Sequence, residues 1–398
     1  MADIITLGEL LIDLTQNGTD ENGNGKFTAF PGGAPANVAV AASRLGAETA
    51  FIGKVGNDAF GRFLRDTLEK DGVDTIGLEE CDEHPTTMAI VSVDESGERE
   101  FTFYRDPGAD TQLTAEEAAG SLQAQFFEGI IVEDIDSYEF KPQDIKILGP
   151  EKAPLILHIG SLSLTTSPAR EACIKTIEIA KEKGMLISYD PNYREALWAD
   201  KETAIEMMRS LVPFSDFIKV ADEELEMLTG SNDLEEGSSI LVEMAQSENL
   251  ADPDGAFLVM VTLGGDGVFI RCGDFTKRIP GFKVKVADTN GAGDTFMGAM
   301  LAQIVSHIRK SEADNTLGVV CYSMPFKPIC VERMLAFGDN DDNIGMIDEK
   351  TVTWFSEKDL TDMVRYANRA ASITCSRSGA IPAMPTAAEV EAAENADR

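Results

Sequence analysis

The chain has 398 residues, 43% of them hydrophobic, which is enough apolar material for a large core and argues against a disordered chain. Its 34 basic and 69 acidic residues give a formal net charge of −35, which argues against nucleic acid or an anionic membrane surface as a partner. No run is apolar and long enough to cross a bilayer, MADIITLGELLIDL lacks the basic start of a secretory leader, and six scattered cysteines without a CxxC pair read as free thiols in a reducing cytoplasm.

In chain order, short β-rich runs alternate with helical patterns, the mark of an α/β fold with a largely parallel sheet. DIITLGELLIDL reads as the first strand, closed by Asp13. PANVAVAASRLG predicts a helix with Val38, Ala41, Ala42 and Leu45 on one face and Gly46 at its C′ position. AFIGKVG is a strand, and AFGRFLRDTLEKDG a helix ending at Gly72. LILHIGSLSL and MLISYDPN are strands separated by the helix PAREACIKTIEIAKEKG; DFIKVA, FLVMVTLG and GVFIRCG continue the sheet. KFTAF and TMAIVSVDESGEREFTFYR, a hairpin pattern with its turn at Glu95–Gly97, fall outside this rhythm. They predict a small β lid with strands within about 14–30 and 86–106 of a single domain, 1–398. Stretches at about 131–152 and 306–358 interrupt the rhythm and read as insertions carrying some structure of their own.

The stretch richest in chemistry is DTNGAGDTFMGAML, residues 288–301. It lacks the GxxxxGK[ST] spacing of a P-loop. Gly291, Ala292 and Gly293 instead offer a bare backbone before an apolar helix, whose first N–H groups make an anion site without side-chain charge. Asp294 is then free to face an acceptor and take its proton. A helix N-terminus is expected to hold this carboxyl at or below the ordinary value of about 3.9. In a loose phosphoryl-transfer transition state the proton leaves late, so such a carboxylate only orients the hydroxyl and accepts at the end. PGGAPANVAVAASRLG places Gly32 and Gly33 before another helix start, with Asn37 one turn in. That pattern suits close backbone approach to a ligand, or an ordinary tight turn with a satisfied Asn. Asp13 reads either as an acceptor for sugar hydroxyls or as a turn or cap residue.

The order GELLID, PGGAPANVAVAASRLG, DPNYREALW, KVADEEL, VTLGGDG and DTNGAGDTF resembles the ribokinase/PfkB family of carbohydrate kinases, over nearly the whole chain apart from the two insertions. FTFYRDPGADTQLT, ISYDPNYREALW and SGAIPAMPT resemble its fructokinase branch. The resemblance implies a ribokinase-like α/β fold, with a mostly parallel sheet of about eight or nine strands flanked by helices and ligands at its carboxyl edge, under a β lid. It implies ATP-dependent phosphorylation of a sugar, most directly fructose; a ribokinase, a 2-keto-3-deoxygluconate kinase and a non-catalytic sugar- or nucleotide-binding protein remain alternatives.

The resemblance also implies roles. Asp294, Gly291, Ala292 and Gly293 would carry catalysis, with Arg105 of the lid reaching the sugar hydroxyls or the transferring phosphate. Asp13, Gly32, Gly33 and Asn37 would grip the sugar, and Asn192 and Arg194 of DPNYR would lie near the acceptor and phosphates. Lys219, Thr262, Gly264, Gly267, Gly293 and Asn368 fall at nucleotide positions. Glu224 falls at an indirect Mg²⁺ position, although Ala221 replaces the Asn of the family's Asn-x-x-Glu. Asp288, Ser378 and Gly379 match a monovalent-cation site, for K⁺. Structural roles compete for four of these: Lys219 snorkelling outward, Arg194 paired at the surface, Glu224 as a helix-start acid and Asn368 as a scaffold residue. Relatives often pair through the lid. Phe101 and Phe103 on one strand face would make such a lid the interface of a homodimer.

Overall fold

The computed structural model describes residues 2–93, 99–126, 129–132, 145–148, 154–246, 257–313 and 355–396. The chain opens with β1 (Ile4–Leu7), β2 (Leu11–Thr19), β3 (Gly25–Gly32) and helix α1 (Ala34–Arg44). Next come β4 (Thr49–Gly56), α2 (Ala59–Lys70), β5 (Val73–Cys81), β6 (Met88–Val93) and β7 (Arg99–Tyr104). Then follow α3 (Ala115–Ala124), β8 (Gly129–Val132), β9 (Ile145–Leu148), β10 (Ile156–Gly160), α4 (Ala169–Glu182) and β11 (Leu186–Asp190). After these lie α5 (Lys201–Ser210), β12 (Phe217–Ala221), α6 (Asp222–Thr229), α7 (Leu234–Gln246), β13 (Leu258–Thr262), β14 (Val268–Cys272) and β15 (Phe275–Ile279). Helices α8 (Ala292–Ala313), α9 (Glu357–Cys375) and α10 (Ala387–Ala396) close the described chain.

Nine strands form the main sheet in the order β15-β14-β13-β12-β11-β10-β1-β4-β5. It is parallel from β5 to β13, and β14 and β15 add antiparallel at one edge. β4 and β10 are buried at every position, as a parallel sheet covered on both faces requires. Successive residues serve opposite faces. Ile4, Ile156 and Met260 pack with Val38, Met300 and Val364 of α1, α8 and α9. Ile5, Ile159 and Val259 pack with Cys173 and Ile177 of α4 and Leu241 of α7. Gly298 lets α8 cross α1 closely, since a Cβ there would lie 2.6 Å from the Ala41 methyl. The strand order reverses at β1, with β4 on one side and β10 on the other, which opens a crevice at the carboxyl ends of these strands.

A second sheet, ordered β3-β2-β6-β7, stands beside that edge. It corrects the reading of DIITLGELLIDL as one strand. The run breaks at residues 8–10: β1 pairs with β4 and β10 in the main sheet, whereas β2 pairs with β3 and β6 in the smaller one. Asp13 therefore lies within the smaller sheet rather than closing the first strand. Periodicity concealed the break because the residues on both sides of it are buried for different reasons. The base of β2 packs on the core through Ile12, while Gln16–Thr19 project into solvent. The turn expected at Glu95–Gly97 lies outside the described residues, but β6 and β7 pair antiparallel with Val91 opposite Phe101. Within the first expected insertion, β8 and β9 form an antiparallel pair of their own. Most of the second, residues 314–354, lies outside the described residues. The strand expected over LILHIGSLSL stops at Gly160, and Leu162–Leu164 turn into a short 3₁₀ helix.

Candidate active site

Asp294 is the third residue of α8 and only 8% exposed. Its carboxylate accepts from Asn37 Nδ2 at 2.7 Å and from Asn192 Nδ2 at 3.4 Å. Burial pushes its carboxyl up to about 6, the Asn37 bond opposes this, the Asp190 charge adds to it, and Lys219 and Arg194 pull it back. The expectation that the helix end would hold this group at or below its ordinary value is thus corrected: loss of water outweighs the helix dipole. Gly291 has a φ of 75°, and its carbonyl accepts from the Thr295 amide at 2.8 Å, starting the helix. The Ala292 amide donates to Thr289 O at 3.3 Å, and the next first-turn amides have no partner within the helix.

The loop after β11 faces this helix start. Asn192 is buried with a φ of 49°, a left-handed conformation that Asn tolerates better than most residues. Glu224, at the start of α6, accepts the Tyr193 amide with one oxygen and the Ala221 amide with the other, both at 2.8 Å. It thereby ties the β11 loop to the end of β12. Burial raises its carboxyl and Lys219 opposes the rise. Lys219, 7% exposed, does not snorkel outward. Its ammonium lies 3.0 Å from Asp190 Oδ2 and 3.1 Å from the point where a Gly293 Cβ would stand, packing it against the first turn of α8. Burial works against its charge, but Asp190, Glu224 and Asp294 together hold its pKa above the usual lysine range. Arg194 is exposed and donates to the Tyr193 carbonyl at 2.9 Å, reaching Asp294 only through its field.

On the other side, Gly33 is the N-cap of α1 with a φ of 110°. A Cβ there would sit 2.3 Å from Glu9 O, so the residue permits close backbone packing. A Cβ on Gly32 would meet Asp13 Oδ2 at 2.6 Å, so this glycine makes room for that carboxylate. Asn290 Nδ2 lies 3.5 Å from Asp13 Oδ2, at the limit of hydrogen-bond reach. Asn37 gives its amide to Asp294 while its buried Oδ1 has no partner among the described residues. Arg105, just past β7, donates to Asp110 Oδ2 at 2.7 Å, Thr165 Oγ1 at 2.9 Å and Leu162 O at 3.1 Å. Its fork is therefore engaged inside the protein. Glu9 escaped the sequence reading, although a lone carboxylate inside the apolar run of GELLID was its signal.

The nucleotide positions cluster beyond β12. Thr262 pairs in register with Ala221, and its hydroxyl donates to Val220 O at 3.3 Å. Gly264 and Gly267 have φ of 55° and 99°, and Gly267 packs against the Ile279–Gly281 backbone. Asn368 is buried and donates to Pro280 O at 3.2 Å, which matches its scaffold reading. Asp288 accepts the Gly379 amide at 3.0 Å and the Asn290 amide at 2.8 Å, next to exposed Ser378. Asn37, Asn192 and Asp294 are thus brought into direct contact, Lys219 and Glu224 join them through Asp190 and Tyr193, and Arg105 stands apart on the side of the smaller sheet.

The family model described as "pfkB family carbohydrate kinase" matches residues 1–141 and 139–315. The chain is 35% identical to Fructokinase-1 of Zea mays over 389 residues, covering 97% of this chain and 96% of that one. Its fold is similar to fructokinase with bound ATP from Xylella fastidiosa, at 26% identity and a TM-score of 0.72, covering 100% of this chain and 99% of that one. It is also similar to a fructokinase double mutant from Vibrio cholerae O395 in a form with fructose, ADP and potassium ion bound, at 28% identity and a TM-score of 0.69, covering 98% of each chain.

Proposed function

Since the chain belongs to the pfkB family of carbohydrate kinases, we propose that it is an ATP-dependent fructokinase, converting ATP and D-fructose to ADP and D-fructose 6-phosphate. The observation that carries the site assignment is the buried Asp294 carboxylate, presented at a helix start by Asn37 and Asn192 and raised to about 6. At neutral pH it is ionised, yet a stronger base than an ordinary aspartate. The fructose 6-hydroxyl oxygen bonds to the γ-phosphorus while the bond from that phosphorus to the bridging oxygen of ADP breaks. The hydroxyl proton passes late to Asp294, and from there to solvent. The amides of the first turn of α8 would hold the transferring phosphoryl group, with Gly291, Ala292 and Gly293 supplying bare backbone.

Asp13, Gly32, Gly33, Asn37 and Asn192 would grip the sugar. Arg105 would order that side through Asp110, and Arg194, exposed at the mouth, would face the phosphates. Lys219, Thr262, Gly264, Gly267 and Asn368 would frame the nucleotide, Asn368 by fixing the 279–280 backbone. Magnesium fits as an ion that arrives with the nucleotide. Both Glu224 oxygens hold backbone amides, Asp190 holds Lys219, and no three His, Cys, Asp or Glu gather for a metal among the described residues. Glu224 would act on it through water, and the ion would supply charge neutralisation on the phosphates. Glu224 keeps this place despite Ala221, because it binds the backbone amide of that residue rather than its side chain. The meeting of Asp288 with Gly379, beside Ser378, supports a K⁺ position there.

The smaller sheet would act as a lid and dimer interface through exposed Phe27 and Tyr104; these lie on the sheet face opposite to half-buried Phe103, so the interface expected from Phe101 and Phe103 moves to the other face. The buried free thiols Cys81, Cys173 and Cys272 support a reducing, cytoplasmic setting. No helix among the described residues is long and apolar enough to cross a membrane. A coupled assay of ADP release with ATP across fructose, ribose, 2-keto-3-deoxygluconate and glucose tests the reading. Fructose should give the largest kcat/KM; turnover with ribose or the keto acid alone would refute fructose as the substrate.

A further inference from the structure

We propose that Glu9 is a positioning residue for sugar binding: its carboxyl group, tied to the Ala34 amide and in the field of Arg105, couples the glycine turn before α1 to the end of the smaller sheet. Glu9 lies between β1 and β2, where the chain leaves the main sheet for the smaller one. Its side chain is buried, and Oε1 accepts from the Ala34 amide at 2.9 Å. Helix α1 has no side-chain cap of its own, because its N-cap is Gly33. A carboxylate from 25 residues upstream thus supplies the cap and the negative charge that a helix start favours. The backbone of Glu9 shapes the same turn, since its carbonyl occupies the space a Gly33 side chain would need.

Two charged groups act on this carboxylate, Arg105 from the end of β7 and Asp110 from the turn that follows. Arg105 is itself pinned by Asp110, Thr165 and Leu162, and Asp110 is bonded to the Thr87 hydroxyl ahead of β6. One charge network therefore reaches the start of β2, the start of β6, the end of β7 and the turn that holds Gly32 and Gly33. The second oxygen of Glu9 is buried with no partner among the described residues. An unpartnered buried oxygen disfavours the charged form, while the Ala34 bond and the Arg105 charge favour it. Burial pushes the Glu9 carboxyl up to about 7, against the backbone bonds and Arg105 that favour ionisation. Protonation as pH falls through that value would remove the charge facing Arg105 and weaken the cap on α1. Sugar affinity should then follow the charge on Glu9, whereas ATP affinity should not.

The inference rests on the fructokinase reading, and the experiment separates the two. Fructose binding without nucleotide is measured by calorimetry from about pH 5.5 to about pH 8.5, either side of an ordinary histidine range. The wild-type protein, Glu9→Gln and Glu9→Asp are compared, and ATP affinity and melting temperature are recorded for each. Wild-type affinity for fructose should weaken as pH falls through about 7. Glu9→Gln should bind fructose about 10-fold more weakly at the alkaline end, as loss of a charged hydrogen bond implies, and lose that pH step with ATP affinity unchanged. Glu9→Asp keeps the charge but shortens the arm, so it should bind fructose more weakly than wild type at the alkaline end and retain a pH step. Wild-type fructose affinity and pH dependence in Glu9→Gln would overturn the inference while leaving a fructose-phosphorylating enzyme intact. Should Glu9→Gln fail to fold, a wild-type fructose affinity that is flat across pH 7 overturns it equally. A wild-type protein that neither binds nor phosphorylates fructose overturns both readings.

Discussion

Lys219 and Arg105 are both buried cations facing more than one carboxylate, yet their surroundings differ. Lys219 shares a compact point charge among Asp190, Glu224 and Asp294 at the carboxyl ends of β11 and β12. Arg105 spends a planar fork on Asp110, Thr165 and Leu162, where the smaller sheet meets the loop after β10. The lysine cluster leaves Asp294 with two amide donors and no ion pair of its own among the described residues, so its carboxylate can still gain a proton. The arginine cluster commits all three guanidinium nitrogens to partners and ties one part of the fold to another. One buried cation lies beside the proposed proton acceptor at the sheet edge, and the other ties the end of the smaller sheet to the loop after β10.

Several substitutions would break this contrast. Asp294→Asn should keep the fold and ATP binding but lower kcat by roughly 10²–10⁴, the range for a lost general base. A coupled assay and a melting curve report both, and near wild-type turnover would remove Asp294 from catalysis. Lys219→Met should strand Asp190 and Glu224 without a counter-charge, costing on the order of 3–5 kcal/mol in denaturant unfolding as well as activity. An unchanged unfolding midpoint would mean that the three carboxylates do not depend on this lysine. Arg105→Ala should raise the fructose KM about 10-fold or more through loss of charged hydrogen bonds, with the ATP KM little changed. An effect confined to ATP would assign Arg105 to the nucleotide side. The smallest effect on catalysis is expected for Phe27→Ser with Tyr104→Ser, which should shift a dimer toward monomer. Light scattering on the unmodified protein should give twice the 43.0 kDa of the chain; a mass near 43.0 kDa would exclude the dimer.

Much of the main sheet was legible because buried parallel strands such as FIKVA and FLVMV read as short apolar runs between helices. The start of α8 was legible for a similar reason: flexible backbone gives way abruptly to an apolar helix. The change of sheet at Gly8–Leu10 was not, since an apolar run carries no mark of which sheet it joins. The burial of Lys219 depends on Asp190, 29 residues earlier, and no local pattern reveals that pairing. The raised carboxyl of Asp294 is a property of the closed site, to which Asn37 contributes from 257 residues away. The edge strand β5 was missed altogether, with its exposed Ile76 and polar Asp74 and Glu80 blurring the apolar signal.

If a single buried carboxylate receives the sugar's proton, the pH dependence of kcat at saturating fructose and ATP shows it most directly. Only ionised Asp294 can accept, so kcat should hold steady above the pKa this group has with both substrates bound and fall below it; burial already raises it to about 6 in the free protein. Below the pKa of the bound state the fall should approach about tenfold per pH unit, as titration of one group requires. The residual rate of Asp294→Asn should lack this step. A wild-type profile that stays flat well below pH 6, or a step that survives in Asp294→Asn, would contradict the account.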